Sequence, residues 1–258
     1  MDLLSFATDI ARKAGTFLRE NVGNISTIEE KSNEINLVTD IDKRSEAMII
    51  SMIREKFPDH DILAEESGRN AGSAEYRWVI DPLDGTTNFT HAIPIFCVSI
   101  GVEHRGEIVA GTIYDPMHDE LFSAEKGSGA FCNGKRISVS KEERMLRSLV
   151  ITGFPYDLAD NPGHAIDHFD NFVVRAQAVR RLGSAAIDLA YVACGRAEGF
   201  WEVKLHPWDM AAGMLLVKEA GGTVTNFKGE ETNIYTQEIV ASNGKIHSEM
   251  LKILEITE

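Results

Sequence analysis

Asp81 and Asp84 are separated by Pro82 and Leu83 and followed at once by Gly85-Thr86-Thr87-Asn88. Two carboxylates three positions apart repel each other unless a cation lies between them. Hard oxygen ligands suit Mg²⁺, which proteins usually hold by one or two carboxylates together with substrate phosphates. Gly85 permits a sharp turn, and Thr86 and Thr87 are good helix-capping residues. Free N–H groups at a helix start bind phosphate oxygens. One turn can therefore serve both a metal and a phosphate. An ordinary surface turn uses the same residue types, but acids elsewhere in the chain favour the metal–phosphate reading.

Those acids are Glu65-Glu66 at the end of an apolar strand, Glu202 between Trp201 and Val203, and Asp209 just after Pro207-Trp208. Singly, each reads as a solvated charge, or for Asp209 as an acid favoured by a helix dipole. Together with Asp81 and Asp84 they supply oxygens for two or more Mg²⁺. Asp42 and Thr86 suggest a separate role. A threonine hydroxyl can orient a water, and a carboxylate can accept the hydroxyl proton. Spacing alone leaves Asp42 as a helix N-terminal residue. Arg180-Arg181, ahead of Gly183-Ser184, can meet a second anionic group or simply end a strand in solvent.

These side chains need a scaffold. Residues 78–80 read as a strand that should stop at Pro82, which lacks an N–H. Apolar residues at helical spacing predict a helix over about 2–21. A second helix starts at 40–43, with Ala47, Met48, Ile50, Ile53 and Phe57 on its inner face. A strand over 35–39 precedes it, and 61–64 is another. Residues 31–34 and 70–75 are polar and are candidates for a segment that gates the site. Strands over 96–103, 107–114 and 120–123 form an antiparallel meander, and Asn133-Gly134 is a hairpin signal. In the second half, strands over 149–152, 178–182, 199–203, 223–226 and 239–241 interleave with helices. These run over 164–177, 185–193 with Ser184 as N-cap, 207–220, and 245–256. The whole chain, 1–258, reads as a single domain with two lobes: a metal and phosphate lobe over about 1–145 and a substrate-side lobe over about 146–258.

The net charge is −14, and no basic run offers a face for nucleic acid as the main partner. Cys97, Cys132 and Cys194 are scattered and odd in number, as expected of free thiols in a reducing cytoplasm. The first twelve residues lack the pattern of a signal peptide, and the longest apolar run, about 92–102, is too short for a membrane span.

Glu65-Glu66-Ser67, Asp81-Pro82-Leu83-Asp84-Gly85-Thr86 and Trp208-Asp209-Met210-Ala211-Ala212-Gly213 occur in this order. In order and spacing they resemble the inositol monophosphatase family, within the Mg²⁺-dependent, Li⁺-sensitive phosphatase superfamily. The resemblance runs from Lys31 to Ala241 at least, and Gly183-Ser184-Ala185-Ala186 is similar to the bacterial members. It implies an α/β fold, an alternating αβαβα layered sandwich of the sugar phosphatase type, and a homodimer. It implies two or three Mg²⁺. Glu65, Asp81 and the Leu83 carbonyl would hold the first, and Asp81, Asp84 and Asp209 the second. A third would lean on Glu65. Gly85 and Thr86 N–H groups would hold the phosphate. Gly183, Ser184, Ala185, Glu202 and Asp209 would lie against the inositol, with Glu65, Leu83 and Asp84 also bordering the substrate. Asp42, Glu65 and Thr86 would be catalytic. The reaction implied is hydrolysis of myo-inositol 1-phosphate to inositol and phosphate by a metal-activated water. Many eukaryotic members carry isoleucine in place of Leu83, where the ligand is a backbone oxygen, and threonine in place of Ser184, where the hydroxyl survives. The alternatives are a fructose-1,6-bisphosphatase or dual-specificity sugar phosphatase and, in another class, a regulatory partner of the transcription machinery.

Overall fold

The structure, a computed structural model, describes residues 2–31, 34–70, 74–159 and 164–256. Both candidate gating segments include residues outside that set, 32–33 and 71–73. Seven helices are present among the described residues: α1 (Leu3–Asn21), α2 (Asp40–Lys56), α3 (Thr86–Thr90), α4 (Ala165–Val173), α5 (Ala185–Ala193), α6 (Pro207–Glu219) and α7 (His247–Leu254).

Two large sheets separate the helices into layers. The first has eight strands in the spatial order Lys135–Arg136, Gly129–Cys132, Glu120–Glu125, Glu107–Asp115, Cys97–His104, Tyr76–Asp84, Asp61–Ala64 and Gly68–Asn70. Only Asp61–Ala64 and Tyr76–Asp84 pair in parallel. The second has five, in the order Ala178–Arg180, Leu149–Thr152, Gly199–Val203, Glu238–Ser242 and Thr223–Thr225. A short antiparallel pair joins Ile28–Glu30 to Leu37–Thr39.

The layering follows from where apolar side chains alternate. Along the Tyr76–Asp84 strand, Trp78 and Ile80 pack with Ile10, Ile41 and Ile49 from α1 and α2. Val79 points the other way, to the core made by Leu189 of α5 and Leu216 of α6. That second core also takes Phe200 from the five-stranded sheet. The far face of that sheet, with Trp201 and Val240, is covered by Phe172 of α4 and Met250 of α7. The order is thus helix, sheet, helix, sheet, helix, as the resemblance implied. α5 and α6 are buried on nearly every side, which explains their apolar sequences. Among the described residues no helix is long and apolar enough to cross a membrane.

α6 reaches the first sheet so closely that side chains must be absent. A Cβ on Gly111 would lie 2.9 Å from the Ala212 Cα, and one on Gly101 2.7 Å from the Ala211 Cβ. Gly111→Ala must push the α6 backbone off the sheet. It is expected to cost about 1–3 kcal/mol by overpacking, read as a lower Tm in thermal unfolding; an unchanged Tm would show that α6 is loosely seated.

Several local expectations are corrected. The strand does not stop at Pro82: it runs from Tyr76 to Asp84, with an irregularity between Asp81 and Asp84. Pro82 is tolerated at that irregularity, where the ladder to Cys97–His104 is interrupted. Of the expected inner face of α2, Ile53 is buried and Met48, Ile50 and Phe57 pack partly buried against the core, but Ala47 is exposed, and Ile41, Asp42, Ser45, Glu46 and Ile49 complete the face. A strand, Gly68–Asn70, for which the sequence gives no signal, ends at the first residue of the polar 70–75 segment. α4 is shorter than expected, ending at Val173. α3 starts after Gly85, whose φ of 98° places it in the left-handed region, and no side chain caps it. Thr86 is therefore free of capping duty.

Candidate active site

The irregularity at the end of the Tyr76–Asp84 strand turns both aspartates toward one cleft. The Asp81 carboxylate accepts the Leu83 N–H at 3.0 Å, and the Ser45 hydroxyl of α2 holds the Pro82 carbonyl at 3.0 Å. Glu46, one residue on, accepts the Glu66 and Ser67 N–H groups at 2.8 and 2.9 Å. α2 thus fixes the turns that carry Asp81 and Glu65. Gly85 is irreplaceable on two counts. Its φ is positive, and a Cβ there would lie 3.0 Å from the Ile95 carbonyl oxygen and 3.2 Å from that of Gly183. The Asn88 amide donates to the Ile95 and Leu182 carbonyls, each at 2.8 Å, fastening α3 to the entry of α5.

That fastening delivers the α5 N-terminus to Asp84. Ser184 caps α5 by accepting the Ile187 N–H and donates its own proton to Asp84 at 2.6 Å. The Ala186 N–H donates to the same oxygen at 2.8 Å. Ser184, expected against the inositol, therefore spends its hydroxyl on Asp84. Asp209 enters from the first turn of α6, where it accepts the His206 N–H at 2.7 Å. The Ser99 hydroxyl anchors that turn through the Trp208 carbonyl at 3.3 Å.

A cleft of about 640 Å³ gathers Glu65, Asp81, Leu83, Asp84, Gly85, Thr86, Glu202 and Asp209 in its lining. Gly183, Ser184 and Ala185 line a smaller cavity that shares Asp84, Glu202 and Asp209 with it. Asp42 stands behind the cleft, buried. All the sequence-predicted site residues are thus brought to one region. Another sizeable cleft, beside Lys126, Lys218 and Glu219, has no such convergence: Lys126 pairs with Glu107, and Glu219 accepts the Gly127 and Gly129 N–H groups.

The crowding of acids leaves an electrostatic record. Burial raises the Asp81 pKa well above the carboxylate range, and the charges of Glu65, Asp84 and Asp209 raise it further. Burial raises Asp84 to about 6, against the lowering effect of Ser184 and the Ala186 N–H. Asp209 is pushed well up by burial and by Asp84 and Glu65. Glu202 rises to about 8 through burial and Asp84, with Arg181 opposing. Asp84, Glu202 and Asp209 keep some open surface at the cleft floor, yet surrounding protein is close enough for desolvation to dominate.

The donor set is carboxylates plus the Leu83 carbonyl, the hard oxygens Mg²⁺ prefers. Among the described residues no group of three or more His, Cys, Asp or Glu side chains is arranged to hold an ion as it stands. The hydrogen bonds above give the reason. Asp84 and Asp209 are turned to N–H and O–H donors, and Glu65 is pulled aside by the Lys31 ammonium at 2.7 Å. The Asp81 carboxyl also lies in hydrogen-bonding reach of Glu65, a contact that needs a proton or a cation between the two. A divalent ion replacing that proton suits the site, so the residues fit the metal.

Sequence reading missed four residues here. Lys31 also bonds Glu66 at 2.6 Å; burial would lower its pKa, but Glu65 and Glu66 raise it. Glu46 and Asn88 do their work through backbone partners far along the chain, which spacing does not reveal. Buried Asp188 on α5 was also passed over, although an acid in an otherwise apolar helix is a signal that sequence alone carries.

The model of the inositol monophosphatase family matches residues 1–257. The inositol-1-monophosphatase of Synechocystis sp. is 43% identical over 256 residues, covering 98% of this chain and 89% of that protein. The fructose-1,6-bisphosphatase/inositol-1-monophosphatase of Thermotoga maritima is 40% identical over 259 residues, covering 100% and 98%. Among solved structures, extragenic suppressor protein suhB from Bartonella henselae superposes with a TM-score of 0.94 at 39% identity, covering 99% of both chains.

Proposed function

This chain belongs to the inositol monophosphatase family of phosphatases, and we propose that it is an Mg²⁺-dependent phosphomonoesterase whose substrate is myo-inositol 1-phosphate. The observation that carries this reading is the convergence of Asp81, Asp84 and Asp209 with Glu65 in one cleft, each of the three aspartates raised by burial first and by its neighbours' charge in addition. Glu65, Asp81, the Leu83 carbonyl, Asp84 and Asp209 would hold two Mg²⁺, with a third leaning on Glu65. When bound, the metal supplies charge neutralisation and Lewis-acid polarisation at the phosphoryl oxygens.

The protein's own part is positioning and proton handling. Gly85 and Thr86 present their N–H groups to the phosphate. The Thr86 hydroxyl donates to Asp42 at 2.9 Å, leaving its oxygen lone pairs to accept a hydrogen bond from the attacking water. Asp42 is raised by burial, against the Thr39 and Thr86 hydrogen bonds, so it is a better base than an exposed aspartate. A proton leaving the water can be taken by the Thr86 oxygen while the Thr86 proton moves to Asp42. Glu202, Ala185 and Asp209 border the leaving alcohol.

The runner-up substrate is fructose 1,6-bisphosphate, as the printed name of the Thermotoga relative suggests for that protein. Arg181, not Arg180, would meet the second phosphate, because Arg181 lines the inner cavity and Arg180 bonds the Val179 carbonyl of its own strand. The same cavity holds Glu202 and Asp188, which disfavour a second anion and favour hydroxyls. A homodimer in the cytoplasm is the setting that the family resemblance and the three free cysteines support.

A panel of both substrates, with Mg²⁺ and with EDTA, tests this. Phosphate release that requires Mg²⁺, with kcat/KM higher for inositol 1-phosphate, is expected. No release from either would end the phosphatase assignment, and a preference for the bisphosphate would end the substrate assignment.

A further inference from the structure

Asp188 lies in the first half of α5, among Ala185, Ala186, Ile187 and Leu189, all buried. It is 1% exposed, and its Oδ1 has no hydrogen-bond partner. An unpartnered polar atom in a protein interior is costly and calls for an explanation. Packing gives none, since an apolar residue of similar size would avoid the cost. Position does. Asp188 is one helical turn after Ser184, so the two side chains share a face, and Ser184 is bonded to Asp84. Both line the inner cavity, of about 100 Å³, together with Glu202, Arg181, Gly153 and Tyr156.

This cavity is the inner end of the main cleft. A side chain at Gly153 would close it, because a Cβ there would fall 2.1 Å from the Glu202 Oε1. A water takes about 30 Å³ of liquid volume, so the space admits the hydroxylated edge of a ring but little more. Four carboxyl groups, of Asp84, Asp188, Glu202 and Asp209, and the Arg181 guanidinium face it. Burial, with the charges of Glu202 and Asp84, pushes the Asp188 pKa up, and Arg181 opposes the rise.

We propose that Asp188 is a specificity-determining residue: with Glu202 it receives neutral hydroxyls of the leaving alcohol at the inner end of the cleft, directly or through one ordered water. This rests on the phosphatase reading above and extends it to a residue on the buried helix. A site built to bond a hydroxyl discriminates strongly against analogues lacking it, because its own polar groups are then left unpaired.

The test compares kcat/KM for inositol 1-phosphate with that for 4-nitrophenyl phosphate, which has no hydroxyl on its leaving group, in wild type, Asp188→Leu and Asp188→Asn. In Asp188→Leu the ratio of the two is expected to fall about tenfold or more, chiefly through KM for inositol 1-phosphate. Its Tm without Mg²⁺ is expected to match or exceed that of wild type, since the unpartnered acid is gone. Asp188→Asn keeps the size and replaces an acceptor with a donor, and it should shift the ratio about threefold or more. An unchanged ratio in Asp188→Asn and in whichever leucine protein folds overturns the assignment, as does a fall in Tm with both substrates affected equally. Wild type that releases no phosphate from either ester overturns the phosphatase reading instead.

Discussion

Asp84→Asn is expected to reduce kcat/KM for inositol 1-phosphate on the order of 10²–10³-fold, the scale seen when one preorganised electrostatic group is removed, while the metal-free protein becomes more stable to heat. The two effects have one origin. Asparagine has nearly the same shape, and its carbonyl oxygen can accept from Ser184 and the Ala186 N–H as the Asp84 Oδ2 does. The seating of α5 is therefore kept. What is lost is a negative charge that raises the pKa of Asp81 and Asp209. Those acids then ionise with less mutual repulsion, which favours the folded chain. Activity loss with an unchanged or raised Tm is the expected pair, measured by phosphate release and thermal unfolding. Substantial activity in the variant would remove Asp84 from the catalytic centre.

The second large effect is a coupling of pH, Mg²⁺ and stability. Glu202, Glu66 and Asp84 hold protons in the folded chain up to about pH 8, 7 and 6. In the unfolded chain they would release them near pH 4. Between these limits the folded state binds more protons, so its stability falls as pH rises. Lys31 stays charged throughout, its pKa being raised. Without metal, Tm should fall from pH 5 to pH 8. Mg²⁺ competes with the protons for the same oxygens, so its stabilisation should be small at pH 5 and large at pH 8. At a hundred times Kd, ligand binding contributes about 2.7 kcal/mol, which for a chain of this size is on the order of 5–10 °C in Tm. A metal-free Tm that rises across this range, or an Mg²⁺ increment independent of pH, would contradict the shared-carboxylate picture.

Much of this was legible in the sequence because the signals were local. α5 begins where Ser184 signalled its cap. The Asp61–Ala64, Leu149–Thr152 and Gly199–Val203 strands lie at their expected bounds. The acids stand in motifs whose order and spacing brought the family to view. What escaped was non-local. The inner face of α2 was only partly legible because Asp42, Ser45 and Glu46 interrupt its apolar stripe, and their partners are Thr86, Pro82 and Glu66, far along the chain. Pro82 was read as a stop, but tertiary packing carried the strand past it. Helix capping was assigned to Thr86, whereas a positive φ at Gly85 starts α3 and leaves the hydroxyl for Asp42.

The bond between Asp84 and the start of α5 joins positions a hundred residues apart. A chain still emerging from the ribosome has Glu65, Asp81 and Asp84 on hand long before Ser184, Glu202 and Asp209 are made. For that interval the early acids lack their later neighbours, and the nascent first half has no complete cage for a divalent ion. Under the proposed Mg²⁺ reading, competence to hold the cation would arise late in synthesis, once the middle helical layer has docked.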